Sequence, residues 1–139
     1  MKKLIFSFLL LAVSFGIHAQ EFSLKVIVEG VEEQKGTIYL SLHDNEESFP
    51  SDNDKAVSTG QITGFGSTAE YTFKNLKKGV YAVSIFQDLN GNNEMDTNFI
   101  GIPKEPVGAS NLTSFGRPKF SKCKFDLDGD LTIRIEYIN

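Results

Sequence analysis

"GVYAVSIFQDLNGNNEMD", residues 79–96, changes character halfway along. Over residues 80–86 apolar side chains fall on both faces of a period-two pattern, as in a strand that lies in the middle of a sheet. At Asp88 the pattern stops, and oxygen-bearing side chains follow two apart at Asp88, Asn90 and Asn92, with Glu94 and Asp96 beyond. About 30 residues then pass without periodicity, against the ~15 beyond which structureless loops become uncommon in compact domains. A doubly buried strand therefore runs straight into a built loop. The loop has its own apolar residues, Phe99, Ile100, Ile102, Pro103, Val107, Leu112 and Phe115, which are expected to anchor it.

Outward from this strand the same period recurs. Phe22, Leu24, Val26 and Val28 alternate with Ser23, Lys25, Ile27 and Glu29; Ile38, Leu40 and Leu42 alternate with Tyr39, Ser41 and His43. Residues 56–62 and 69–73 read as two more strands, the second with Tyr71 and Phe73 opposite Glu70, Thr72 and Lys74. Residues 119–127 and 131–138 complete the set, joined by Asp128-Gly129 as a tight hairpin, with Cys123 and Phe125 on one face. Ahead of the central strand, Gly79 permits a turn with positive φ, and Tyr81 can pack its ring inward while its hydroxyl bonds the backbone. Helical periodicity is missing throughout. The expected fold is all-β, a seven-stranded antiparallel β-sandwich of the immunoglobulin-like or transthyretin-like kind, with a long loop at about residues 88–118.

The ends and the composition narrow the setting. Lys2 and Lys3 precede an apolar run over residues 4–13 and a small-residue site at Ala19, which reads as a signal peptide over residues 1–19. The mature chain, residues 20–139, is one domain by length and makes its core without disulfides, since Cys123 is the single cysteine. Without Lys2 and Lys3, twelve basic residues face 18 acidic ones, a net charge near −6. Nucleic acid and anionic membrane surfaces are therefore expected to be poor partners, since both require a basic patch. After cleavage no transmembrane segment is expected, and the expected location is secreted or periplasmic.

Spacing in the loop matches the start of a calcium loop. Asp88, Asn90 and Asn92 fill positions 1, 3 and 5, the Glu94 carbonyl position 7 and Asp96 position 9. Short side chains on a coiling loop can bring several oxygens to one point, as a hard cation needs. Asn93 takes the place of the usual glycine at position 6, tolerable because Asn enters the left-handed region readily. Position 12 is Phe99, so this is not an EF-hand, and a final ligand must come from Asp96, Glu105, water or a neighbouring loop. Calcium binding is expected in the weak extracellular range, on the order of 0.1 to 1 mM. An Asx-rich turn without an ion is the competing reading, because Asn and Asp also bond their own backbone. For Asp126, Asp128 and Asp130 a turn is the expected structure, not an ion site.

Residues 79–111 also carry a resemblance. The pattern G-x-Y-A, D-x-N-x-N, D-x-N-F-x-G-x-P-x-E, G-x-S-N is matched by Tyr81, Asp88, Asn90, Asn92, Asp96, Asn98, Phe99, Gly101, Pro103, Glu105, Gly108, Ser110 and Asn111. It resembles the signature of a family of secreted bacterial proteins known as domain of unknown function 2141. The resemblance implies a secreted all-β domain of a Gram-negative cell, with no assigned activity. Two functional classes follow. One is a calcium-stabilised binding or structural module for an envelope or extracellular ligand, whether glycan, peptide or protein. The alternative is a metal-dependent hydrolase using Asp88, Asp96 and Glu105. Against an enzyme stand a mature chain with His43 as its one histidine, and the lack of a G-x-S-x-G or H-E-x-x-H motif.

Overall fold

The structure, a computed structural model, describes residue 16 and residues 18–138. The expected signal peptide at residues 1–19 lies almost wholly outside the described residues. Among the described residues eight strands form two sheets: β1 (Glu21–Glu29), β2 (Thr37–His43), β3 (Ser58–Ile62), β4 (Ala69–Lys77), β5 (Gly79–Asp88), β6 (Val107–Ala109), β7 (Phe125–Leu127) and β8 (Leu131–Glu136). One sheet has the order β4-β1-β8; the other runs β3-β2-β5-β6, with β7 also paired to β5. A short helical turn, α1 (Phe120–Cys123), precedes β7, and a 3-10 turn spans Asn53–Lys55. No helix among the described residues is long and apolar enough to cross a membrane.

Alternation explains the core. Leu24, Val26 and Val28 on β1 are fully buried, and so are Ile38 and Leu42 on β2; with Val83, Ile85, Phe73, Leu127 and Ile135 they make one cluster drawn from both sheets. Each such side chain contributes about 1.5 to 3 kcal/mol on leaving water. β5 is the central strand that its double apolar pattern predicts: β2 pairs along one edge, while β7 at Gly79–Tyr81 and β6 at Ser84–Phe86 divide the other. The Tyr81 ring is buried and its hydroxyl donates to the Lys77 carbonyl at 2.7 Å, as expected. Positive φ falls not at Gly79 but at Asn75 (58°), where the register of β4 against β1 shifts between Phe73 and Leu76.

Three other expectations change. Residues 119–127 are not one strand: residues 120–123 turn helically, which lets Cys123 bury itself against Phe49, Ala82 and Ala109 in a second small cluster. Asp128-Gly129 does not close a hairpin, because β7 pairs with β5 and β8 pairs with β1, in parallel, from Leu24↔Leu131 to Glu29↔Glu136. Alternation is a property of one strand at a time and says nothing about which sheet the next strand joins. Lastly, seven expected strands are eight among the described residues, since β6 forms within the stretch that lacks periodicity. Three residues are too few to show a period.

Candidate functional site

β5 delivers Asp88 to the end of the second sheet, where it is 1% exposed. Its carboxylate accepts hydrogen bonds from Gly91 N–H (Oδ1, 2.8 Å) and Asn93 N–H (Oδ2, 2.8 Å), coiling the chain back over itself. The coil requires left-handed backbone at Gly91 (φ 77°) and Asn93 (φ 62°), the latter as its residue type suggested. Asn90 Oδ1 then accepts from Asn92 N–H at 3.1 Å and Asn92 Oδ1 from Glu94 N–H at 3.0 Å, two successive Asx turns. Both side-chain amides converge on Asp96, Asn90 Nδ2 donating to Oδ2 at 2.5 Å and Asn92 Nδ2 to Oδ1 at 2.9 Å. Of the five residues expected to hold calcium, Asn90, Asn92 and Asp96 thus meet at one point. Asp88 points its oxygens into the backbone, and Glu94 is exposed. Among the described residues, no three His, Cys, Asp or Glu side chains form a group suited to a metal ion.

Glu105 acts as a second clasp. Buried, it accepts from Leu89 N–H (Oε1, 2.9 Å) and Asp96 N–H (Oε2, 3.2 Å), closing residues 89–96 into a ring tied at both ends. Further contacts, by Gln87, Gly36 and Tyr39, secure the base and were not readable from spacing. Gln87 Nε2 donates to the Glu33 and Lys35 carbonyls at 2.6 and 2.8 Å, and Gly36 passes so close that a Cβ there would lie 2.0 Å from the Asp88 carbonyl oxygen. Tyr39, stacked on Phe86 at 5.0 Å, donates its hydroxyl to Asn93 Oδ1 at 2.6 Å.

The loop leans over the outer face of the second sheet and leaves a groove of about 610 Å³. Ser41, Ser84 and Phe86 line it from the sheet, Met95 and Ile102 from the loop after β5, and Phe115 from the segment after β6. Serine hydroxyls on the sheet are already engaged, Ser41 with Asn53 Oδ1 (2.6 Å) and Ser84 with the Pro50 carbonyl (2.7 Å). The apolar residues expected to anchor the loop divide. Val107 and Leu112 are partly buried, but Phe99 is 99% exposed, Phe115 70% and Ile100 64%. Carboxylate-to-backbone bonds, not apolar burial, hold this loop, which is why those side chains are free to project.

The nucleophile and acid–base candidates lie elsewhere and are core groups. His43 is fully buried, its Nδ1 bonded to Ser48 Oγ at 2.9 Å and its ring edge-on to Phe49 at 5.6 Å. Burial holds its pKa below 6.5, with the charges of Asp52 and Asp44 and the accepting backbone carbonyl of Pro50 opposing. Cys123 is fully buried, and burial pushes its thiol pKa up, away from the reactive thiolate.

The comparisons agree with the signature in the loop. A family model described as "Uncharacterized protein conserved in bacteria (DUF2141)" matches residues 26–134. That span covers most of the chain, from the middle of β1 to the middle of β8, and the protein belongs to this family. No curated protein and no solved structure matches.

Proposed function

We propose that this member of the family is a secreted or periplasmic binding module, a β-sandwich of immunoglobulin-like or transthyretin-like kind whose groove takes an envelope or extracellular ligand such as a glycan, a peptide or a protein segment. The observation that carries this reading is the groove itself. At about 610 Å³ it has the size of ligand sites, is lined by apolar side chains with a few polar ones, and is walled by a loop whose every turn is fixed by hydrogen bonds. A binding role is favoured over hydrolysis because Asp88 and Glu105 spend their carboxylate oxygens on backbone N–H groups, and His43 and Cys123 are buried. The test is a panel of oligosaccharides and short peptides screened against the parent protein and Met95→Arg, which sets a charge in the groove wall. Binding that Met95→Arg abolishes supports the reading; binding untouched by it moves the site elsewhere.

Calcium belongs to the same proposal as the ion that would stiffen this wall. Asn90, Asn92 and Asp96 already meet, and turning the two amides would present their oxygens beside the carboxylate. That rotation gives up two backbone bonds and the two amide bonds to the Asp96 carboxylate, about 0.5 to 3 kcal/mol each, which a divalent cation can offset. Binding only the folded chain, calcium at ten times Kd should add about 1.4 kcal/mol, a melting shift of roughly 3 to 6 °C. Magnesium should do less, because it gives up water reluctantly. Asp96→Ala should erase the shift. Equal melting temperatures in calcium and in chelator would leave the hydrogen-bonded Asx loop complete without an ion.

A further inference from the structure

We propose that the loop tip bearing Phe99 and Ile100 inserts into the surface of an anionic phospholipid bilayer, with the basic segment after β6 holding the headgroups. Phe99 is 99% exposed, Ile100 64%, and Phe115, which lines the same groove as Gly101 and Ile102, 70%. Large apolar side chains left in water at adjacent positions call for a partner phase.

The tip is built so that an apolar phase can accept it. Asn98 Oδ1 takes the N–H groups of Ile100 and Ile102, each at 3.0 Å, while Asn98 N–H donates to the Ile102 carbonyl at 2.8 Å and Gly101 N–H to the Asn98 carbonyl at 3.0 Å. Four backbone donors of the tip, those of Asn98, Ile100, Gly101 and Ile102, which would be costly to strip of water, are therefore already paired inside the turn. Gly101, at φ 84°, gives the turn its reversal.

Charge selects the partner. Residues 115–124, FGRPKFSKCK, contain Arg117, Lys119, Lys122 and Lys124 and no acidic residue, and all four are exposed. None of them forms an ion pair among the described residues. Arg117 lines the same groove as Ile102 and Phe115, so the basic segment starts beside the apolar tip; Glu94 is the acidic side chain that shares the groove. The average charge near −6 disfavours an anionic surface only at long range, and beyond roughly 8 to 10 Å it is screened by salt. Apolar insertion beside a short run of Lys and Arg is the pairing that anionic lipid surfaces attract.

The chain has no tryptophan, so Phe99→Trp makes a clean reporter. Mixed with vesicles of phosphatidylglycerol and phosphatidylethanolamine, its emission should shift to the blue; with phosphatidylcholine alone it should shift far less. In sedimentation with the anionic vesicles, Phe99→Ser with Ile100→Ser should weaken binding about tenfold or more. Arg117→Gln and Lys119→Gln should each weaken it by about fivefold, an effect that vanishes at high salt. Melting temperatures of all variants should match the parent, because every substituted side chain is exposed. The proposal is overturned if the reporter does not respond to either vesicle, if the double serine variant binds as the parent does, or if the blue shift arises without lipid and grows with protein concentration, which would make the partner a second copy.

Discussion

Residues 88–92 and 126–130 read almost alike, D-L-N-G-N and D-L-D-G-D, yet the two stretches do different work. In the first, β5 ends on its Asp, which is buried and coordinates two backbone N–H groups; Leu89 is only half-buried. In the second, β7 ends on its Leu: Leu127 is 1% exposed within the core, while Asp126 and Asp128 face solvent. The last residue there, Asp130, reaches across to accept Ser23 N–H at 2.8 Å, just before β1 and β8 begin to pair at Leu24↔Leu131. One shift in where the strand stops turns the same letters from a loop-building cluster into a crossing between sheets. A metal-loop spacing is therefore weak information until the burial of its first residue is known.

Asp88→Ala should break the comparison most. It leaves the N–H groups of Gly91 and Asn93 without their acceptor, a loss of about 2 to 4 kcal/mol measured by urea unfolding. It should also make residues 89–105 sensitive to protease under native conditions. A loss below 1 kcal/mol would mean that Glu105 and Asn98 suffice to hold the loop. Asp130→Ala removes one bond at an exposed position and should cost about 0.5 to 1.5 kcal/mol, with hydrogen exchange at Ser23 rising.

Titration sharpens the contrast only after His43 is taken out of the background. Its folded pKa lies below 6.5, so its contribution is complete above that value and is lost as pH falls toward the folded pKa, where the unfolded chain binds the extra proton. Between about pH 7.5 and 5.5 the unfolding free energy should decline, and His43→Leu should flatten that slope. An unchanged slope would place the titrating group elsewhere. The smallest effect belongs to Asp126→Ala and Asp128→Ala, each expected within about 0.5 kcal/mol of the parent, since both side chains stand in water. If either matched Asp88→Ala, the two stretches would be equivalent after all.

Alternation in the sequence is enough to place β1, β2, β4 and β5 and to choose their buried faces, because a half-buried strand must put apolar groups on one side every second residue. At residues 88–96 the spacing of Asp and Asn leaves a calcium loop and a turn that bonds its own backbone both open, and the bonds that Asn90 and Asn92 make to Asn92 N–H and Glu94 N–H are those of the turn. Which strands become neighbours was decided only by the tertiary structure. β8 runs parallel to β1, and residues 120–123 turn helically because Cys123 fits the space beside Phe49 and Ala109, contacts made by residues far apart in the chain. The same holds for the loop. Its apolar residues look like anchors until Asp88, Glu105 and Asn98 are seen to hold the backbone with hydrogen bonds, so that Phe99, Ile100 and Phe115 stand outside. Sequence lists which groups can bond or be buried, and the packing of distant segments selects among them.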